Sequence, residues 1–449
     1  MPTMIRIPAL ALAVACGLSA MAEPAAGEDL LQIYRDALVA DPTLGAARST
    51  YTATQELVPQ ARAGLLPVLS LLGNANYQNF QENLHSDPAT PLFTQRFPQY
   101  SYTVSASQPL FRMQNWITFD QAKQQVGQGE YVLASAQQDL IVRVAVAYFD
   151  ILLAQFNIEL TESQKKAVSE QLAQAKRNFE VGVATITDTN EAQAKYDAIV
   201  AQEITTRNDY DNRVTALRAI IGRYPKDLKK LGPGFVPALP EPNVAEYWVD
   251  RALKENLNVR IAEYNFEIAK LDVERARAGH YPTVDLVGSY TAQGANAAVS
   301  STVGSDSRTG VIGLQVNVPI YQGGFTESRV REAIALQEKS RQDLEAARRV
   351  ALFAAQTGFA GVTSATASVK AFEQAVVSAE SALSSNIVGQ EVGVRTFLDV
   401  LNVQQNVYST RRDLADAYFK YLIGVLRLKA SVGALSDKDV EDLNRQLRG

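Results

Sequence analysis

Two kinds of hydrophobic pattern run along this chain, and they come in the same order twice. The first is short and has period two: Tyr100, Tyr102, Val104 and Ala106 alternate with Ser101, Thr103, Ser105 and Ser107, while Ile312, Leu314, Val316 and Val318 alternate with Gly313, Gln315 and Asn317. Weaker partners precede each: Leu69, Leu71, Ala75 and Tyr77 against Ser70, Asn74 and Asn76, then Val284, Leu286 and Tyr290 against Thr283, Asp285 and Ser289. Such alternation predicts four strands, each with one apolar and one polar face.

The second pattern is long and helical. Apolar or small residues fall at Leu133, Leu140, Val144, Ala147, Ile151, Ala154 and Ile158 in one half, and at Val369, Phe372, Val376, Ala379 and Leu383 in the other. Val400, Val407, Leu414, Tyr421 and Leu428 then recur every seventh residue, the spacing of helices packed as coiled coils. Neither 110–224 nor 320–449 contains a proline, and both are rich in good helix formers. If Met113 to Phe179 is one helix, at ~1.5 Å per residue it is about 100 Å long. That length implies a rod or tube and not a catalytic pocket, with Ala, Ser and Thr permitting close helix contacts and a polar inner wall.

The halves are copies. Val181-Gly182-Val183-Ala184-Thr185 is echoed by Val392-Gly393-Val394-Arg395-Thr396, Pro109-Leu110-Phe111 by Pro319-Ile320-Tyr321, and Ala61-Arg62-Ala63-Gly64 by Ala276-Arg277-Ala278-Gly279. Each copy reads helix, strand, loop, strand, long helical hairpin. Gly182 and Gly393 suit the left-handed turn that ends a helix, and Thr185-x-x-Asp188 and Thr396-x-x-Asp399 are capping-box signals for the next one. The expected organisation is a first repeat over 23–224, a linker over 225–242 with five prolines, a second repeat over 243–433, and a polar tail over 434–449.

Residues 1–22, with Arg6, an apolar run from Ile7 to Leu18 and Ala20-Met21-Ala22, read as a secretory leader. The only cysteine, Cys16, lies inside it, either as leader or as a lipid-modified first residue, so the mature chain is expected to lack thiol chemistry. The full chain has net charge −5, which argues against nucleic acid as a partner. No run reaches the ~18 consecutive apolar residues of a membrane-spanning helix, so insertion in a bilayer would be through strands. Strands of ~9–11 residues with tyrosines near their ends fit an outer-membrane barrel wall, with 78–99 and 292–308 as outer loops. Four strands are too few to close a barrel, since single-chain barrels begin at ~8, and an open edge leaves backbone groups unsatisfied in lipid. Several chains are needed, and three would supply 12 strands.

The duplicated plan, the junctions Pro109 to Phe111 and Pro319 to Gly324, and the segment Val392 to Asn402 resemble the TolC family of outer-membrane efflux proteins from about Asp29 to Gly433. The resemblance implies a mixed α and β membrane protein: a homotrimer whose 12-stranded outer-membrane β-barrel continues into a long periplasmic α-helical barrel. It implies an exit channel for efflux or type I secretion, working with a periplasmic adaptor protein and an inner-membrane ABC or proton-driven pump. The linker and the residues after Gly433 would form a belt around the helices. By motif match, Thr187, Asp188 and Arg395 are expected gate links and Asp399 and Asn402 the constriction ring. Val181, Gly182, Val392 and Gly393 are expected at the helix tips that meet the adaptor. Asn402 stands where the family has a second aspartate ring and Gln390 where it has a gate tyrosine, which implies weaker cation selectivity and a weaker gate. Helix capping is the plain alternative for Asp188 and Asp399, and both roles are compatible.

Catalysis has no foothold. The two histidines, His85 and His280, are far apart in sequence, and no HExxH, GxSxG or phosphate-binding loop occurs; Gly323-Gly324 reads as a bend between strand and helix. No cofactor is expected. A periplasmic adaptor would carry a single hairpin and a β domain, and a trimeric adhesin would place its barrel segment last, whereas this chain ends in helix.

Overall fold

A computed structural model describes residues 27–82, 93–232, 234–296 and 303–448. The expected leader, Cys16, His85 and the middles of both segments expected as outer loops lie outside the described residues. The first half runs α1 (Leu30–Ala40), α2 (Pro42–Gln55), α3 (Leu57–Ala63), β1 (Val68–Glu82), β2 (Phe93–Phe111), α4 (Met113–Glu180) and α5 (Ile186–Ile221). A short strand β3 (Lys230–Leu231) follows in the linker. The second half runs α6 (Ala245–Glu255), α7 (Leu257–Arg277), β4 (Thr283–Ala295), β5 (Ser305–Asn317), α8 (Phe325–Glu391) and α9 (Phe397–Ser431), then α10 (Asp437–Asn444) and β6 (Leu447–Arg448).

The proline-free stretches form unbroken helices of 68 residues in α4 and 67 in α8, each about 100 Å long at ~1.5 Å per residue. Coiled-coil spacing explains which residues they bury: Leu140, Val144, Ile151 and Ala154 in α4, and Val400, Val407, Tyr421 and Leu428 in α9, are all buried. By composition alone one stretch of α4 could cross a bilayer. Its apolar side chains are instead committed to packing, with Tyr148 and Phe149 fully buried and Phe149 5.7 Å from the Phe419 ring. Burying each such side chain contributes roughly 1.5–3 kcal/mol.

This main core lies where α1, α4, α5, α9, α10 and the linker converge. The linker is pinned there: Tyr148 Oη donates to the Lys229 carbonyl at 2.8 Å, and Tyr421 Oη donates to the Ala238 carbonyl at 2.8 Å while accepting from its amide at 2.9 Å. Phe235 packs over Tyr418 and Tyr421. The chain beyond Gly433, expected as a polar tail, folds instead into α10 and β6. Val440, Leu443 and Leu447 are buried in the core, and Leu447 pairs with Leu231.

The four long strands form one antiparallel sheet in the order β1-β2-β4-β5. They have 15, 19, 13 and 13 residues, longer than expected. The ladder continues into segments expected as loops, where Gln78 pairs with Phe97 and Asn79 with Arg96. Past the apolar band the lipid-type face turns polar at Asn79, Gln81, Thr94 and Arg96 while the opposite face takes up Phe80 and Phe97, so the alternation is lost while backbone pairing goes on. The segment before β1, expected as one helix, is three, because Asp41 caps α2 ahead of Pro42 and Glu56 interrupts before α3.

Candidate functional site

The register places Leu71, Val104 and Tyr290 in one cross-strand row and Leu69, Ala106, Gly288 and Ile312 in the next, all on one face. Leu69, Leu71, Ile312 and Leu314 are 65–81% exposed, a surface suited to lipid. The opposite face is lined with hydroxyls: Ser70 and Ser105 are bonded at 2.7 Å, and Thr103 and Thr291 at 3.0 Å. Within the chain β1 and β5 each pair along one side only, so both outer edges of the sheet offer backbone groups to another strand. Tyr100 and Tyr102 stand toward the outer end of the apolar face, with Tyr100 Oη donating to Asp306 at 3.2 Å.

At the other end the sheet meets the helices through a junction that sequence reasoning missed. Arg112, just before α4, makes two bonds to Asp285 of β4 at 2.8 and 2.7 Å, and the Asp285 side chain is only 7% exposed. One repeat is thereby tied to the other at the elbow between sheet and helix. The signal was an acidic residue on the inner face of a strand otherwise read for its apolar partners. The Gly323-Gly324 bend lies at the matching elbow of the second repeat, with both glycines at positive φ.

The hairpin tips are built alike. Helix α4 ends where Gly182 takes φ +77° and the Val183 amide bonds the Asn178 carbonyl at 2.9 Å; α8 ends where Gly393 takes φ +78° and the Val394 amide bonds the Gly389 carbonyl at 2.8 Å. Both following helices open with complete capping boxes, Thr185 with Asp188 and Thr396 with Asp399. Asp188 spends one oxygen on this, Oδ2 accepting from the Thr185 amide and hydroxyl at 2.9 Å each, and Asp399 Oδ2 accepts from the Thr396 amide at 3.0 Å. In each carboxylate the second oxygen stays outside the box, so a cap and a further contact are compatible. The Thr396 amide and hydroxyl, followed by the Arg395 charge, hold the Asp399 carboxyl below its usual range.

Val181 and Val392 are 72% and 68% exposed, and the tips also present Val183 and Val394, at 73% and 78%, which motif matching did not single out. Thr187 and Arg395 are exposed, Asp188 and Asp399 half-buried, and Asn402 exposed. The structure gathers Thr187 and Asp188 on one tip and Arg395, Asp399 and Asn402 on the other. Among the described residues it does not join Arg395 to Asp188 within the chain: Arg395 folds back across Gly389, where its Cγ would lie 2.8 Å from an added Cβ. Just behind the tips the hairpins do touch. Leu401 packs with Val168 and Ile199, Phe397 and Tyr196 pack alongside, and Lys195 donates to Gln405 across the seam.

Three comparisons bear on this architecture. A family model described as outer membrane efflux protein matches twice, over residues 33–223 and 248–434. The chain is 33% identical over 444 residues to the outer membrane protein TolC of Vibrio cholerae, spanning 98% of each, and 30% identical over 444 residues to the proteases secretion protein PrtF of Dickeya chrysanthemi, spanning 98% of this chain and 95% of that one. Its fold matches the outer membrane protein VceC of Vibrio cholerae with TM-score 0.75 at 20% identity, covering 90% of this chain and 96% of that one.

Proposed function

The chain belongs to the outer membrane efflux protein family, and on that premise we propose that three copies close into a single gated duct through the outer membrane and periplasm. It is an outer-membrane channel for efflux or type I secretion. Proteins of this family act with pump and adaptor complexes, and substrate choice then rests with those partners. The observation that carries the trimer is the open sheet: an apolar outer face, a hydroxyl-lined inner face and two unpaired edges suit a barrel wall completed by other copies.

The tips are the periplasmic entrance in this reading. The exposed valines at 181, 183, 392 and 394 take a hydrophobic contact from the adaptor. Because Arg395 and Asp188 do not meet within one chain, their link belongs between neighbouring copies, where the spare oxygen of Asp188 accepts from a guanidinium, with Thr187 beside it. Three Asp399 carboxylates around one axis form a ring that attracts cations, and with Asn402 in place of a second acidic ring the preference is moderate. No cofactor takes part, and the energy for transport comes from the pump.

The test is conductance in planar bilayers under a salt gradient. Asp399→Ala is expected to lower the cation-to-anion permeability ratio severalfold at unchanged trimer mass. An unchanged ratio would remove the ring from the account and leave Asp399 as a helix cap.

A further inference from the structure

The linker covers one side of α4 and α9 and would obstruct the bore if it lay within the proposed duct, so it is assigned to the outside of the helical wall and the opposite side of the same helices to the inside. On α9, Tyr418 and Tyr421 lie under the linker. Away from them, Asp399, Asn406, Asp413, Lys420 and Arg427 repeat every seventh residue, which holds them on one stripe of a coiled-coil helix running from the tip to the level of the core. On α4, Tyr148 lies under the linker and Asp150, two residues on and therefore on the far side, accepts from Arg213 of α5 at 2.7 Å.

The charges on the stripe change sign along its length. Asp399 stands at the tip, and Lys420 is neutralised by Asp416 at 2.5 Å. Asp413 has Arg412 beside it at 3.4 Å. Arg427 is exposed and, among the described residues, makes no hydrogen bond or ion pair within the chain; its charge acts at longer range on Asp150, already bonded to Arg213. A groove between α8 and α9, floored by small residues such as Gly358, Gly361 and Ser364, runs past it and leaves the guanidinium uncovered.

We propose that Arg427 is a selectivity-determining residue of the duct: three copies form a cationic ring on the inner wall that opposes the cation preference of the Asp399 ring. The offset of 28 positions between them, at ~1.5 Å each, sets the rings about 40 Å apart, several screening lengths at ~0.1 M salt, so the two act as independent stations in series. A solute leaving the cell meets acid first and base second, which disfavours strong selection of either sign. The inference rests on the trimeric duct.

The experiment is the reversal potential of the purified full-length protein in planar bilayers under a potassium chloride gradient. Arg427→Gln is expected to raise the cation-to-anion permeability ratio roughly threefold, opposite in sign to Asp399→Ala, while Arg427→Lys keeps the wild-type ratio and the double variant Arg427→Gln with Asp399→Ala returns close to it. A shift with Asp399→Ala but none with Arg427→Gln overturns the inference and leaves the duct standing. Equal shifts for Arg427→Gln and Arg427→Lys also overturn it, because that pattern reports distortion and not lost charge. Absence of any conductance from the wild-type protein defeats the duct itself.

Discussion

Asp41→Ala is expected to destabilise the protein by about 3 kcal/mol, the largest effect of any single polar substitution considered for this chain. The Asp41 side chain is 2% exposed and performs two tasks at once. It caps α2, accepting from the Leu44 amide at 2.7 Å, and it holds Arg143 of α4 through bonds of 2.9 and 3.2 Å. Alanine removes both and leaves the guanidinium half-buried, with only Asp139 at 2.6 Å to compensate. Asp41→Asn keeps the cap and loses the charge, so it is expected to fall between alanine and wild type. The same pair sets a pH dependence. Arg143, opposed by burial and helped by the Leu44 amide, holds the Asp41 carboxyl below its usual range. A depressed native pKa contributes stability above the unfolded value of ~3.9, lost as pH falls through the lower native value, so the pair is expected to be insensitive between pH 5 and 8 and to weaken only in strong acid. Denaturant unfolding followed by helical circular dichroism checks both points; an alanine variant within 0.5 kcal/mol of wild type would show that the pair is not structural.

Arg395→Ser is expected to raise the resting conductance of the closed channel severalfold, because the proposed link between neighbouring copies at the entrance loses its guanidinium. The capping role of Asp188 is separable from the gating role proposed for it. Asp188→Asn keeps an oxygen for the Thr185 amide but no negative charge for Arg395, so it is expected to leak like Arg395→Ser without loosening the tip. Hydrogen exchange at the α5 start reads the cap and bilayer current reads the gate. Wild-type resting current in Arg395→Ser would make Arg395 a solvated tip charge and shift the closed state onto the apolar seam of Phe397 and Leu401.

Much of the fold is legible because its signals are local and repeated. Val181-Gly182 and Val392-Gly393 announce the tips through helix-ending glycines, Tyr102 and Val104 against Thr103 and Ser105 announce a two-faced strand, and the absence of proline announces the long helices. What escapes the sequence is chiefly pairing at a distance. Arg112 and Asp285 are 173 residues apart, and Asp41 and Arg143 are 102 apart, so neither pair leaves a spacing to read. The strand ends were hidden because alternation marks contact with an apolar phase, and Gln78 or Arg96 extends the ladder beyond it. Helix α10 and strand β6 were hidden because their three apolar anchors, Val440, Leu443 and Leu447, sit among charged or polar neighbours and gain their meaning only from the core they complete. At the tips the sequence names the residues, but the proposed meeting of Arg395 with Asp188 requires a neighbouring copy, which no single chain encodes in its spacing.

The most direct test of the account is the native mass of the protein extracted by detergent from purified outer membranes. A trimer of about three times the 48.9 kDa chain, less the expected leader on each copy, is the predicted result and carries closure, location and class together. A monomer recovered only from the soluble periplasm would contradict the closed barrel, and with it the ring, the gate and the duct.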